Sequence, residues 1–201
     1  MSGSITFNPM VTTGAASTFL VETDGFVQGT FFDDPAMRYQ LEGGYVAAAQ
    51  AHVVWGGLPL SLTVPQLAQN ALGPACALAT TNGDIEAWCV FNQAAAMIVT
   101  PSSTVPTAGA GMSINFVRPG SLLRLALQID PAITNSLVGG ATNQQVSWDF
   151  TNNRIMAYSA GVGALPVQIE FVNTNSKVVV YNSGTGAVTW NDAGPCAVVR
   201  I

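Results

Sequence analysis

Apolar positions recur along this chain in short runs, each closed by a cluster of Gly, Pro, Asn, Asp or Ser. That spacing predicts β-structure built from short strands. The pattern is clearest over the last sixty or so residues. Val146-Ser147-Trp148-Asp149-Phe150 alternates apolar and polar, Thr151-Asn152-Asn153 turns, and Arg154-Ile155-Met156-Ala157-Tyr158 returns. A period of two puts alternate side chains on one buried face. Val167–Val172 and Lys177–Tyr181 read as further strands. Asn182-Ser183-Gly184-Thr185-Gly186 is a turn before Ala187-Val188-Thr189-Trp190, and Cys196–Ile201 is a last strand. The Trp148 and Trp190 segments echo each other weakly, which two similar hairpins of one sheet explain as well as duplication does.

Upstream, Thr18–Phe32 is strand-like, and Asp33-Asp34-Pro35 predicts a helix start. Asp34 can cap free backbone N–H groups, and Pro35 suits the first helical position. Gly43-Gly44 stops that helix. A second short helix is predicted over Pro65–Leu72, ended by Gly73-Pro74. Asn82-Gly83-Asp84 reads as the turn between strands Cys76–Thr80 and Ile85–Phe91. Pro101–Gly111, rich in Pro, Ser, Thr, Ala and Gly, predicts a long exposed loop. Met112–Val117 and Leu122–Ile129 are strands around Arg118-Pro119-Gly120, and Ser136–Gln144 is a loop.

The predicted fold is mainly β: an antiparallel β-barrel or β-sandwich with one or two short helices and an extended N-terminal arm. Residues 1–18, small and polar, form the arm. Residues 19–201 form one β-rich domain, with a mixed strand and short-helix portion over 19–74 and the barrel or sandwich portion over 75–201.

Composition changes this picture in one respect. Of 201 residues, 49% are hydrophobic but only 8% are Asp, Glu, Lys or Arg, against roughly 25% in ordinary domains. Disorder does not explain this, because disordered chains are charged and poor in apolar residues. Ser, Thr, Asn, Gln and Gly carry the polarity instead, and they hydrogen-bond without the cost of desolvating a charge. Such a surface suits burial against other protein, since interface cores are depleted in charge. The net charge is −5, and the basic residues Arg38, Arg118, Arg124, Arg154, Lys177 and Arg200 are scattered. No basic stripe is available to neutralise phosphates, so no nucleic-acid partner is expected. Met1–Thr13 lacks the charge and apolar run of a secretory signal. Tyr45–Val64 is apolar but holds Gly56, Gly57, Pro59, Gln50 and His52, so it reads as buried protein and no membrane partner is expected. Cys76, Cys89 and Cys196 are odd in number and widely spaced, which predicts buried thiols in a reducing compartment rather than a disulfide framework.

Candidate chemistry is sparse. His52 is the only histidine, and its neighbours Ala51, Val53, Val54 and Trp55 mark it as a packed residue rather than a catalytic base. No zinc or calcium spacing is present. Asp33 and Asp34 read as a helix cap, and Asp84 and Glu86 as flanks of a turn. Gly161-Val162-Gly163 lacks the third glycine and the strand-to-helix setting of a dinucleotide loop. Trp55, Trp88, Trp148 and Trp190 read as core before they read as a sugar-binding platform. No catalytic, cofactor or metal residue is assigned, and no enzymatic activity or cofactor is expected.

Three stretches together resemble the head decoration, or capsid cement, proteins of tailed bacteriophages. One is Gly25-Phe26-Val27-Gln28-Gly29-Thr30 leading into Asp33-Asp34-Pro35-Ala36-Met37-Arg38 and Gly43-Gly44. The second is Val54-Trp55-Gly56-Gly57-Leu58-Pro59-Leu60. The third is Asn175–Tyr181, Gly184, Gly186, Val188–Asn191, Gly194 and Ala197–Ile201. The resemblance implies a non-enzymatic structural protein on the capsid exterior of a virion, made in the host bacterial cytoplasm. It implies several copies per particle, with the major capsid protein and further copies of the chain as partners. Trimers at three-fold axes follow by analogy. Ile5, Phe7, Phe31, Phe32 and Trp55 are the expected interface residues. A tail-tube, fibre or minor capsid protein is the nearer alternative, and a carbohydrate-binding β-domain the more distant one.

Overall fold

The computed structural model describes residues 25–32, 40–50, 52–65, 73–91 and 103–201. The arm, the helix start at Asp33-Asp34-Pro35 and the predicted helix beyond Pro65 lie outside the described residues.

The described chain is mainly β, as the pattern of short runs predicts, and of the two expected architectures it contains a closed barrel. The barrel uses β1 (Glu42–Val46), β2 (Pro59–Thr63), β3 (Ala75–Leu78), β4 (Ala87–Val90) and β5 (Ser113–Val117), in the order β1-β3-β2-β4-β5. Its pairs are antiparallel except β1 with β3, where Tyr45 and Val46 run parallel to Ala75 and Cys76. β3 and β4 do not pair across the Asn82-Gly83-Asp84 turn. Leu60 of β2 sits between them, opposite Leu78 on one side and Ala87 on the other. All four residues of β4 are buried, as in a strand covered on both faces.

A three-stranded sheet follows the order β6-β10-β9, formed by β6 (Arg124–Gln128), β9 (Gln168–Tyr181) and β10 (Val188–Arg200). The separate strands read from the last third of the sequence are halves of two long ones. Asn173-Thr174-Asn175 and Asn191-Asp192-Ala193, turn-like in sequence, lie inside the hairpin where its register shifts between Asn191 and Cys196. Such irregularities tolerate polar residues within a continuing ladder. β7 (Val146–Asp149) and β8 (Arg154–Ala157) pair by themselves, with Trp148 opposite Ile155. The two echoing hairpins therefore belong to different sheets, not one. A single α-helical turn, α1 (Thr134–Leu137), falls partly within the predicted Ser136–Gln144 loop.

The predicted exposed loop is another correction. Ser103, Val105, Thr107 and Ala108 are buried. Val54 and Ala108 exchange backbone hydrogen bonds of 2.9 and 2.8 Å, and Thr104 N–H donates to the Val188 carbonyl at 3.0 Å. Small uncharged side chains let this segment pack inward while its backbone groups find partners.

Three apolar clusters fill the molecule. Val46, Leu58, Leu60, Cys89 and Phe116 belong to the barrel cluster. Trp88, Leu125, Leu127, Trp148, Ile155 and Val199 belong to a second, between barrel and sheets. Phe32, Ala126, Val178, Cys196 and Val198 cover the far face of β6 and β10. Leu125 and Leu127 thus face one cluster and Ala126 the other, the period of two buried on both sides. The β9–β10 hairpin spans these regions, with Val179 and Val188 in the barrel cluster and Ile169 and Val199 in the second.

Candidate interaction surface

The 25–32 segment, the Trp55-Gly56-Gly57 turn and β9 meet at Gln28, which is fully buried. Its backbone N–H donates to the Lys177 carbonyl at 2.9 Å. Its side-chain oxygen accepts from Val179 N–H at 2.8 Å, and its amide nitrogen reaches the Gly56 carbonyl at 3.5 Å. Gly29 follows with φ +79°, and a Cβ there would lie 2.5 Å from the Gly56 backbone. Only glycine permits both that φ and that approach. A buried amide with both ends partnered ties the first stretch to β9 and to the Trp55-Gly56-Gly57 turn.

Of the five residues expected at an interface, Ile5 and Phe7 lie outside the described residues. Phe31 is half-buried, bridges to Leu125 and packs on the second cluster. Phe32 is buried with its ring edge-on to Phe26 at 5.4 Å. Trp55 is 2% exposed and packs in the barrel cluster, 5.5 Å from Tyr181. Phe32 and Trp55 therefore spend their apolar surface inside their own chain. Trp88 and Trp148 are buried as expected of core, stacked edge-to-face at 5.0 Å.

The exposed apolar surface lies elsewhere. Val138 and Phe171 are 63% and 52% exposed, and both line a groove of about 260 Å³ between α1 and the first half of β9. β9 is an edge strand. Residues 26–28 run along its second half, where Lys177 N–H donates to the Phe26 carbonyl at 2.8 Å. Along its first half, the Ile169 N–H bond to the Thr142 carbonyl (2.8 Å) holds the 137–144 turn against it, and no strand pairs there among the described residues. Phe171 escaped the sequence reading because strict alternation puts it on the same side as buried Ile169. The register shifts between Val198 and Val199, opposite Phe171 and Ile169, and that irregularity turns Phe171 outward.

The described cations sit in ion pairs, and Arg38 lies outside the described residues. Arg118 meets Glu42 at 2.8 Å, Arg154 meets Asp130 at 3.1 Å, and Lys177 meets Asp192 at 3.1 Å. Arg124 and Arg200 share Glu170, at 3.9 and 2.5 Å. Exposed pairs of this kind stabilise little.

The titratable groups have structural tasks. Glu86 accepts the Leu62 N–H at 2.7 Å. Hydrogen bonds from Thr81 and Thr80 hold the Asp84 carboxyl below the usual range. Burial pushes Asp149 upward, but bonds from Asn152 and Thr151, with Arg154 nearby, outweigh it and leave the carboxyl lowered. All three cysteines are free and buried. Burial raises the Cys76 thiol to about 11 and pushes Cys89 and Cys196 further up. Thiols so protonated are poor nucleophiles near neutrality. His52, read as packed, is exposed instead, and its Nδ1 lies 2.8 Å from the Tyr181 hydroxyl. No group of three or more His, Cys, Asp or Glu is placed to hold a metal among the described residues. No described helix is long and apolar enough to cross a membrane.

No family model, curated protein or solved structure matches the chain.

Proposed function

We propose that the chain is a non-enzymatic virion structural protein that decorates and stabilises the capsid of a tailed bacteriophage from outside. The observation that carries this reading is the outer edge of β9, where Val138 and Phe171 stand exposed beside a half-strand that pairs with β10 on one side and with no strand on the other among the described residues. A strand edge flanked by apolar side chains accepts an extended segment from another subunit, with backbone bonds supplying affinity and side-chain pockets specificity. We assign the role of that extended segment to the major capsid protein. The arm of residues 1–18, with Ile5 and Phe7, orders against a neighbouring copy. No cofactor takes part.

The test is co-sedimentation of the purified protein with undecorated phage heads, with the size of the free protein measured alongside. Saturable, stoichiometric binding is expected. Phe171→Asp should weaken it at least tenfold without changing the far-ultraviolet circular dichroism spectrum, and removal of residues 1–18 should abolish it while the fold persists. Binding that survives both changes would overturn the assigned contacts. Absence of binding by the unaltered protein would overturn the decoration role, and rings or tubes of free protein would then move it to the tail.

A further inference from the structure

A second feature of the surface is independent of the β9 edge. Four segments meet around a cleft of about 590 Å³: the 50–55 loop, the end of β3, the β7–β8 turn and the tip of the β9–β10 hairpin. That volume lies in the range of small-ligand sites. Its walls hold aromatic rings (His52, Trp55, Phe150, Tyr181) and amide or hydroxyl side chains such as Asn152 and Ser183. No Asp, Glu, Lys or Arg lines it.

The walls are held in place before any ligand arrives. The Tyr181 hydroxyl and His52 Nδ1 are 2.8 Å apart, with their rings edge-on at 5.6 Å. The Trp55 and Tyr181 rings are tilted by 33° at 5.5 Å. On the opposite wall, Asp149 accepts from the backbone N–H groups of Thr151 and Asn152 at 2.9 and 3.0 Å and from the Asn152 side chain at 2.7 Å. Asn153 follows in the left-handed region, at φ 55°. Gln50 is anchored by the Leu78 N–H at 3.1 Å. Trp55 adds a buried indole N–H without a hydrogen-bond partner. Rigid walls lower the ordering cost of binding.

We propose that this cleft is a binding site for a neutral carbohydrate. Sugars present both an apolar C–H face, which aromatic rings accept, and a fringe of hydroxyls, which amides and hydroxyls bond. A phosphate or an acidic ligand would find no Lys or Arg, and a fully apolar ligand would leave the amides desolvated. The occupant is therefore uncharged and amphipathic, and the cleft has room for a short oligosaccharide. This inference does not rest on the decoration role.

Isothermal titration calorimetry with a panel of neutral oligosaccharides (maltotriose, cellotriose, lactose and di-N-acetylchitobiose) tests it, with Trp fluorescence as a second readout. At least one sugar should bind saturably and perturb the emission. Tyr181→Ala should weaken that binding at least tenfold. Ser183→Trp alters an exposed turn residue outside the core and should block the cleft with the fold intact. Failure of every sugar to bind, undiminished binding by Ser183→Trp, or preference for tetramethylammonium over the sugars would each overturn the proposal.

Discussion

Trp148 offers the sharpest test of how the β7–β8 hairpin is held to the barrel. It is fully buried, it lies edge-on to Trp88 of β4 at 5.0 Å, and both indole N–H groups are buried without partners. Two opposed effects follow. Trp148→Ala removes the ring and leaves a cavity, which costs about 3–5 kcal/mol. Trp148→Phe keeps an aromatic edge against Trp88, loses part of the buried area and also removes an unpaired donor whose burial costs roughly 1–3 kcal/mol. The gain and loss nearly offset, so Phe should lie within about 1 kcal/mol of the parent protein. In urea, at about 3 kcal/mol per M, Ala should move the unfolding midpoint by more than about 1 M and Phe by less than about 0.4 M. A double-mutant cycle with Trp88→Ala should return a coupling of about 0.5–1.5 kcal/mol for the ring pair. Equal losses for Phe and Ala would refute the reasoning, because the orphaned N–H would then cost nothing.

Three further outcomes are expected. Gln28→Leu should destabilise by about 1–3 kcal/mol in urea melts, because it strands the Val179 N–H and the Gly56 carbonyl in the interior. Raised thiols stabilise the protonated form, so the stability they contribute is full below the ordinary thiol range near pH 9 and is lost as pH rises, for Cys76 through about 11; a thiol-specific reagent at pH 8 should label none of the three in the native protein and all three in denaturant. Asp149 is shifted the other way, so its contribution is present above the ordinary carboxylate range and lost as pH falls through its lowered value; Asp149→Asn should cost about 1–2 kcal/mol at pH 7 and flatten the acid limb of the pH–stability curve.

Much of this fold is written in local pattern. The Val146–Tyr158 hairpin follows from alternation and turn residues because β7 and β8 pair with each other across a short turn, and the β5 and β6 boundaries follow from the turn residues that flank them. What alternation cannot carry is partnership. β2 slots between β3 and β4 because Leu60 is bonded on both sides, and nothing within the Asn82-Gly83-Asp84 turn signals a third strand. The Pro101–Gly111 segment has loop composition, yet Val54 and Val188 recruit its backbone into the interior. The candidate surfaces depend on the same distant pairing. Phe171 faces outward only because the register slips against β10, and the cleft exists only where Tyr181 and the β7–β8 turn come to face the 50–55 loop. Phe32 was legible as a large apolar residue but not as core, since burial is decided by the strands laid over it, whereas Trp55 could be read both as core and as interface and is buried. Composition, in contrast, survives folding. The shortage of charge leaves the cleft walls without an Asp, Glu, Lys or Arg, and each described cation sits in an ion pair. A strand edge and an aromatic cleft on one uncharged molecule divide the work by shape: the edge can satisfy a backbone, the cleft a ring of hydroxyls, and neither can hold the other's occupant.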